Sequence, residues 1–236
     1  MQQTRNSEEV LRSPISILSS FSILNFAIRP GFRYVEPVRI CVVGKGGREH
    51  ALIRALRESE SQPEVFCFPG SEAIHEIEGA GKVEAHDLES LITWMTANSI
   101  DLCVAGEESY LVTEAGLANR CKDVGIPCWG PPFAAAQMEA SKEFAKEFMQ
   151  RHNIPTGDAA GCADIDEAQA AIAGKYPTVL KFDGLAAGKG VAVCPDKETA
   201  DEFLNEVMVE RRFGPGRLLV EECLVGPEIS IFAAVS

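Results

Sequence analysis

The sequence predicts an α/β protein in which a doubly wound, Rossmann-like parallel sheet precedes a partial α+β domain. Between residues 38 and 130, short apolar runs alternate with helical patterns, as in sheets whose parallel strands are joined by helices. Glycine, proline or polar residues follow each of those runs. Beyond residue 130 the apolar runs come in hairpin-like pairs instead. We therefore expect an extension over 1–37, a first domain over 38–137 and a second over 138–236.

In the first domain the expected strands are 40–43, 65–68, 102–105 and 127–129. The expected helices, with apolar residues at helical spacing, are 49–58, 88–98 and 113–124. Gly125 is in the position of a glycine that ends a helix. Ligands of such sheets bind beyond the carboxyl ends of the strands, which places binding loops at 44–48, 69–72, 106–108 and 130–132.

In the second domain we expect helices at 140–152 and 198–207. The expected strands are 178–182, 191–194, 218–222 and 228–235. The last apolar run stops at Ser236 without a turn or cap, so we expect the chain to end inside a domain.

Composition narrows the class of protein. The 236 residues carry a net charge of −13, which disfavours nucleic-acid binding because phosphate contacts need a basic face. None of the 8 cysteines forms a C-x-x-C pair, and no His follows at metal-ligand spacing. Buried, reduced thiols in a cytoplasmic protein are expected. No apolar run is long enough to span a bilayer.

The segment 1–37 is a poor signal peptide, because serines interrupt its apolar part and no small-residue cleavage pattern follows. A poorly ordered extension is the first expectation, and a weak amphipathic membrane helix is the alternative. Because the organised pattern begins at Val38, one hypothesis makes Val38 the original start. Sequencing the amino terminus of the native protein tests it.

The first glycine-rich loop comprises Gly44, Gly46, Gly47 and Arg48. It fails the dinucleotide fingerprint, since Glu49 replaces the third glycine and no acid ends the second strand. Backbone N–H groups at a helix N-terminus still suit a monophosphate. A tight strand–helix turn without a ligand is an equal alternative from this loop alone.

The second glycine-rich loop joins two expected strands, with Lys181 at its base and Lys189 near its tip. It is not a P-loop: the spacing from Gly184 to Gly188 is one residue short, and Gly190 replaces the Ser or Thr that binds magnesium. We favour a flap over triphosphate oxygens above a solvated hairpin, because so many glycines are costly to order without a ligand.

Acidic residues lie around the turn that follows the strand 218–222. Glu221 and Glu222 end that strand, and Glu228 opens the next apolar run. Paired acids suit the amino group of adenine and the hydroxyls of ribose. Taken alone, the segment is more typical of a turn with exposed acids.

Together these features resemble the glycinamide ribonucleotide synthetase (phosphoribosylamine–glycine ligase) family of ATP-grasp enzymes. The matching stretches run in order from residue 38 to 236: VVGKGGREHAL, FPGSE, AGEESYLV, WGPPFAAAQMEASKEFAKEFMQRHNIPT, VLKFDGLAAGKGVAV and VEECLVGPEIS. The resemblance implies an ATP-grasp second domain, the substrates glycine, 5-phosphoribosylamine and ATP, and Mg²⁺ or Mn²⁺. It also implies a glycyl phosphate intermediate, in cytoplasmic purine biosynthesis.

The resemblance implies roles for single residues. Lys181 and Lys189 would be catalytic. The ATP site would comprise Lys142, Lys181, Gly188, Lys189, Gly190, Glu221, Glu222, Leu224 and Glu228, with the Glu221 carbonyl and the Leu224 N–H on the adenine edge and Glu228 on the ribose. The phosphoribosylamine site would comprise Gly44, Gly46, Gly47, Arg48, Gly70 and Glu108.

Two departures from the family pattern matter. Glu107 and Tyr110 stand where prolines are common. The chain also stops before the family's metal-binding Glu and Asn, so we expect no metal ligands within it and little ligase activity from it alone. Another ATP-grasp carboxylate–amine ligase, or a non-catalytic nucleotide-binding fragment, is the alternative, although GKGGREHA favours the glycine ligase. The sequence does not give the oligomeric state.

Overall fold

The computed structural model of the protein describes residues 37–113, 116–186 and 188–231. The chain divides into two compact units between Ala136 and Gln137. Residues 1–36 of the extension expected over 1–37, and residues 232–235 of the predicted strand 228–235, lie outside the described residues.

The first unit contains the predicted parallel sheet. Its five strands are β1 (Arg39–Gly44), β2 (Glu64–Pro69), β3 (Ala80–Lys82), β4 (Leu102–Ala105) and β5 (Cys128–Trp129). They are all parallel, in the order β3-β2-β1-β4-β5. The order reverses between β1 and β4, which is where doubly wound sheets bind ligands.

Helices connect these strands. They are α1 (Gly47–Arg57), α2 (Glu72–His75), α3 (Leu88–Ala97) and α4 (Leu117–Asp123), and α5 (Phe133–Ala140) follows β5. The predicted helix 113–124 begins only at Leu117, after Gly116, whose φ is +23°. The predicted helix-ending glycine is confirmed, because Gly125 has a φ of +79°.

Both faces of the first sheet are covered, as the apolar runs predicted. Ile40 and Val42 belong to one apolar cluster with Ile53 of α1. Val43 belongs to a second cluster with Leu91 of α3. Because successive strand residues point to opposite faces, this alternation requires helices on both sides.

The second unit contains an antiparallel sheet in the order β6-β9-β7-β8. Its strands are β6 (Ala159–Cys162), β7 (Thr178–Asp183), β8 (Val191–Cys194) and β9 (Arg217–Glu222). Its helices are α6 (Lys142–Arg151), α7 (Ile165–Ile172) and α8 (Lys197–Leu204), and a π-helical turn, Asn205–Val209, extends α8. The predicted hairpin of β7 and β8 is confirmed.

The helix expected over 140–152 is confirmed as α6. It begins at Lys142 because the side chain of Ser141 caps it by accepting the N–H of Phe144 at 3.0 Å. The strand expected over 228–235 is wrong in its described part. Residues 228–231 form no strand, and Ile229 and Ile231 are exposed. Their apolar pattern alone suggested a strand, but in the described part they pair with no other strand.

Across the described residues, every helix falls short of the length and apolar character needed to cross a membrane.

Candidate functional site

The first glycine loop is built around the buried side chain of Glu49, which is 2% exposed. A Cβ atom at Gly44 would lie 2.6 Å from its Cγ, and one at Gly106 would lie 2.5 Å from the same atom. Gly44 also has a φ of +143°, which L side chains rarely adopt. The glycine that ends β1 and the glycine that follows β4 therefore make room for one carboxylate.

The carboxylate of Glu49 also caps helix α1. Its Oε2 accepts the N–H of Gly46, the residue before the helix, at 2.6 Å. This is the return contact of a capping box, and it engages one N–H group that the sequence had assigned to a phosphate. Sequence reasoning treated Glu49 only as a missing glycine, whereas its place three residues after Gly46 signalled this cap.

Space in front of the first turn of α1 is open at Gly47. A Cβ atom there would meet no other atom within 4 Å. The helix N-terminus carries a partial positive charge. The N–H groups of Gly47 and Arg48, rather than that of Gly46, therefore face the position where an anion is most readily accepted.

Two predicted residues from different loops meet at the point where the strand order reverses. Nη2 of Arg48 donates to Oε2 of Glu108 at 2.7 Å. This hydrogen bond raises the pKa of Arg48 and lowers the pKa of Glu108. The two side chains are 70% and 41% exposed, so the pair adds little to stability and is open to a ligand.

Gly70 joins the loop after β2 to the loop after β1. Its N–H donates to the carbonyl of Gly44 at 3.1 Å. Its φ is +71°, and a Cβ atom would lie 2.5 Å from the ring of His75. Gly70 therefore shapes this edge of the sheet without offering its N–H to a ligand.

Glu107 and Tyr110, which stand where the family commonly has prolines, each contact a neighbouring side chain. The ring of Tyr110 meets that of Phe68 edge-on, at 6.0 Å between centroids, and burial raises the pKa of Tyr110. The carboxylate of Glu107 accepts the hydroxyl of Ser109 at 2.7 Å. Both side chains therefore have partners within their own unit.

In the second unit, hydrogen bonds of Asp183 connect the β7–β8 hairpin to the start of α6. Its carboxylate accepts the N–H of Lys142 at 2.5 Å and the hydroxyl of Ser141 at 3.0 Å. The ammonium of Lys142 donates to the carbonyl of Gly184 at 3.0 Å. Burial lowers the pKa of Lys142, although Asp183 opposes this shift. Sequence reasoning selected Lys142 but missed Asp183.

Lys181 shares the carboxylate of Glu221 with Lys146, the one member of this triad that sequence reasoning missed. One oxygen of the Glu221 carboxylate pairs with Lys181 and the other pairs with Lys146. The ammonium of Lys146, a residue only 7% exposed, also donates to the Thr156 hydroxyl at 2.6 Å and to the Gly157 carbonyl at 2.8 Å. The triad of two lysines and one glutamate leaves one net positive charge beside the hairpin.

Opposing effects act on the pKa of Glu221. Burial raises it, but hydrogen bonds from Lys146 and Lys181 outweigh burial and lower it. The carbonyl of Glu221, which the resemblance assigns to adenine, accepts the hydroxyl of Thr178 at 3.1 Å. The side chain of Glu221 is thus an ionised orienting group for Lys181.

The tip of the hairpin is tightly turned and exposed. Gly188 has a φ of +76°, and the N–H of Lys189 donates to the carbonyl of Ala186 at 2.9 Å. The carbonyl of Gly190 accepts the N–H of Phe182 at 2.7 Å, which closes the hairpin. Lys189 is exposed.

The remaining predicted ATP residues follow β9. A carboxylate oxygen of Glu222 accepts the N–H of Asp158 at 3.3 Å. Leu224 is 69% exposed, and Glu228 is exposed as well. Among the described contacts, none joins Leu224 or Glu228 to the lysine triad.

A doubly wound sheet with an open glycine turn, followed by an antiparallel sheet with a lysine-bearing glycine hairpin, is the arrangement of the ATP-grasp class. Comparison with known families gives the particular family. Residues 38–139 match the family model "Phosphoribosylglycinamide synthetase, N domain", and residues 140–236 match "Phosphoribosylglycinamide synthetase, ATP-grasp (A) domain". The chain belongs to the phosphoribosylglycinamide synthetase family, as its sequence motifs predicted.

Individual relatives agree. The chain is 40% identical over 208 residues to a phosphoribosylamine–glycine ligase of Caulobacter vibrioides, covering 84% of this chain and 47% of the relative. It is 38% identical over 204 residues to the trifunctional purine biosynthetic protein adenosine-3 of Drosophila melanogaster, covering 83% and 15%. The crystal structure of a phosphoribosylamine–glycine ligase from Thermotoga maritima has a TM-score of 0.65 and 27% identity, covering 80% and 45%. The chain thus spans about half the length of the bacterial ligases that it matches.

Proposed function

We propose that this chain carries the phosphoribosylamine-binding domain and the ATP-binding hairpin of a phosphoribosylamine–glycine ligase of cytoplasmic purine biosynthesis. A boundary between the two domains near residue 138 is part of the proposal. The observation that carries the proposal is the cluster of Lys142, Lys181 and Lys189 at the glycine-rich hairpin. The open N-terminus of α1 in the first unit is in keeping with it. The eight free thiols are in keeping with a reducing compartment.

The proposed reaction converts a poor electrophile into a good one. The γ-phosphoryl group of ATP is transferred to the carboxylate of glycine, which gives glycyl phosphate and ADP. The amine of 5-phosphoribosylamine then attacks the acyl carbon, phosphate leaves, and glycinamide ribonucleotide forms. The protein contributes mainly positioning and charge stabilisation to such a reaction.

The second unit suits a nucleotide triphosphate. Lys142 and Lys181 stand at the base of the hairpin, and each is fixed by contacts to its neighbours. Lys189 is exposed near the tip and available to phosphate oxygens. A glycine-rich hairpin can fold over a nucleotide, and Glu221 sets the direction from which Lys181 approaches it.

A divalent ion would bind with the nucleotide in this proposal. Within 37–113, 116–186 and 188–231, no cluster of three or more His, Asp or Glu side chains converges on one point. Mg²⁺ characteristically takes its ligands from substrate phosphates, water and one or two carboxylates, so Mg²⁺ or Mn²⁺ would arrive on ATP. When bound, the ion neutralises phosphate charge.

The first unit suits the sugar phosphate. The N–H groups of Gly47 and Arg48 would receive the phosphate at the N-terminus of α1. The guanidinium of Arg48 reaches the same region and is steadied by Glu108. Glu108 in turn offers a carboxylate to sugar hydroxyls, while Gly44, Gly46 and Gly70 shape the loops around them.

The test is carboxylate-dependent ADP formation by the natural protein that contains this chain. We expect ADP release in the presence of 5-phosphoribosylamine and Mg·ATP to require glycine. Bicarbonate and formate are the controls, because they serve other ATP-grasp reactions. ADP release with either control but not with glycine would assign the chain to another ligase of the class. No release with any carboxylate, despite ATP binding, would favour a non-catalytic nucleotide-binding role.

A further inference from the structure

The fold of the first unit collects three cysteine thiols that are far apart in sequence. The Sγ atoms of Cys103, Cys121 and Cys128 all lie within 4.8 Å of one another. Cys103 on β4 is paired in register with Cys128 on β5, and Cys121 comes from helix α4. All three belong to one apolar cluster of the core. Their spacing in sequence shows no metal-ligand pattern, so only the fold reveals the group.

The spacing of the sulfur atoms suits three ligands of one ion. Metal–sulfur bonds of about 2.3 Å place two sulfur ligands of one ion about 3.8–4.0 Å apart. The sulfur atoms lie at most 4.8 Å apart, so each pair needs to close by about 1 Å at most to reach that spacing. In the described part of the chain, no other three His, Cys, Asp or Glu side chains converge in this way.

The site is deep but accessible from one side. Cys103 and Cys121 are fully buried, whereas Cys128 is partly exposed. β5 is the edge strand of its sheet, so an ion can reach the Cys128 sulfur first. Cys41 on β1 is paired with Cys103 but lies outside the group of three.

Charge selects the ion. Three thiolates around a monovalent ion leave two negative charges, and around a divalent ion they leave one. A net charge in an apolar core is costly, whereas a trivalent ion leaves none. Soft thiolate ligands also select soft ions.

We propose that Cys103, Cys121 and Cys128 form a binding site for a trivalent thiophilic species, with arsenite as the probe. In the binding step, As(OH)₃ loses three As–O bonds and forms three As–S bonds. Each departing hydroxide takes one thiol proton, so three water molecules leave and no electron is transferred. The product is neutral and ties α4 to β4 and β5. This site is independent of the ligase function proposed above.

Arsenite binding to the full chain, kept reduced, tests the proposal. We expect one arsenic per chain by intact mass under non-denaturing conditions. We also expect a melting temperature that rises with arsenite concentration, since a ligand of the native state stabilises it. Cys128→Ser at the partly exposed edge should reduce affinity at least tenfold, and Cys121→Ser should do the same. Circular dichroism tests whether both variants fold. If Cys121→Ser fails to fold, Cys128→Ser alone decides the outcome.

Matched controls separate this site from general thiol reactivity. Cys41→Ser removes a buried neighbour from the same cluster, and Cys194→Ser removes a buried thiol from the second unit; both should bind arsenite as the parent chain does. Arsenite binding that survives Cys128→Ser unchanged would overturn the proposal. Tighter binding of Zn²⁺ than of arsenite would overturn the assignment to a trivalent species.

Discussion

Replacing Lys146 by methionine removes the buried cation that shares Glu221 with Lys181. The side chains of Lys146 and Glu221 are 9% and 11% exposed, so the pair is nearly out of water. Removing one partner of a buried ion pair costs about 3–5 kcal/mol. Because Glu221 keeps Lys181, we expect the lower end, about 3 kcal/mol.

Hydrogen exchange measures the loss of stability in the strands that carry the triad. Both tryptophans, Trp94 and Trp129, lie in the first unit, so their fluorescence does not report on the triad. Amide exchange in β7 and β9, which carry Lys181 and Glu221, should quicken more than a hundredfold, the rate equivalent of about 3 kcal/mol. Exchange in β1 should stay unchanged.

Lys197→Met is the matched control. It removes an exposed lysine whose partner, Asp201, lies one helical turn away, and such pairs contribute about 0.3–0.5 kcal/mol. If Lys146→Met changed exchange in β9 no more than Lys197→Met does, the triad would not hold this part of the sheet, and the reasoning would be refuted.

Three further predictions follow from the contacts. Gly106→Ala should destabilise the first unit by about 1–3 kcal/mol, because the added Cβ atom would press on Glu49. Gly47→Ala should cost little, because the space around Gly47 is open. Equal losses of stability for the two variants in urea unfolding would contradict this. Asp183→Ala should lower the stability of the second unit by about 1–2 kcal/mol, because α6 loses the carboxylate that accepts its first N–H. The loss should appear as faster proteolysis of the hairpin. An unchanged cleavage rate would argue against this capping contact. Because the folded-state pKa of Glu221 is lowered, its contribution to stability is complete above the ordinary Glu value of about 4.3 and is lost as pH falls through the folded pKa. β9 should therefore lose exchange protection below about pH 4, and protection that stays constant in that range would exclude an ionised Glu221.

The sequence predicted most of the first unit because its strands carry their own signal. The apolar runs at β1 and β4 are buried on both faces, so composition alone marks them. β6 has the sequence Ala-Ala-Gly-Cys, which has low strand propensity. It is a strand because β9 pairs with it. β9 is distant in sequence, so the local sequence does not reveal this pairing.

Sequence reasoning selected residues of the glycine-rich loops and of the family motifs, and it missed residues that hold them in place. Lys181 and Arg48 stood out beside glycine-rich loops, and the family resemblance selected Lys142. Lys146 lies in an ordinary amphipathic helix, and its partner Glu221 is distant in sequence, so no local pattern joins them. The three thiols of the first unit escaped notice for the same reason.

Protection of the hairpin by nucleotide is the most direct test of the account. Amide exchange or proteolytic cleavage across residues 183–190 would be followed as Mg·ATP is titrated into the protein, with Mg·GTP in parallel. We expect ATP to slow exchange there at least tenfold and to leave exchange in β1 unaltered. A hairpin that exchanges at the same rate with saturating Mg·ATP as without it would contradict the assignment of Lys142, Lys181 and Lys189 to ATP.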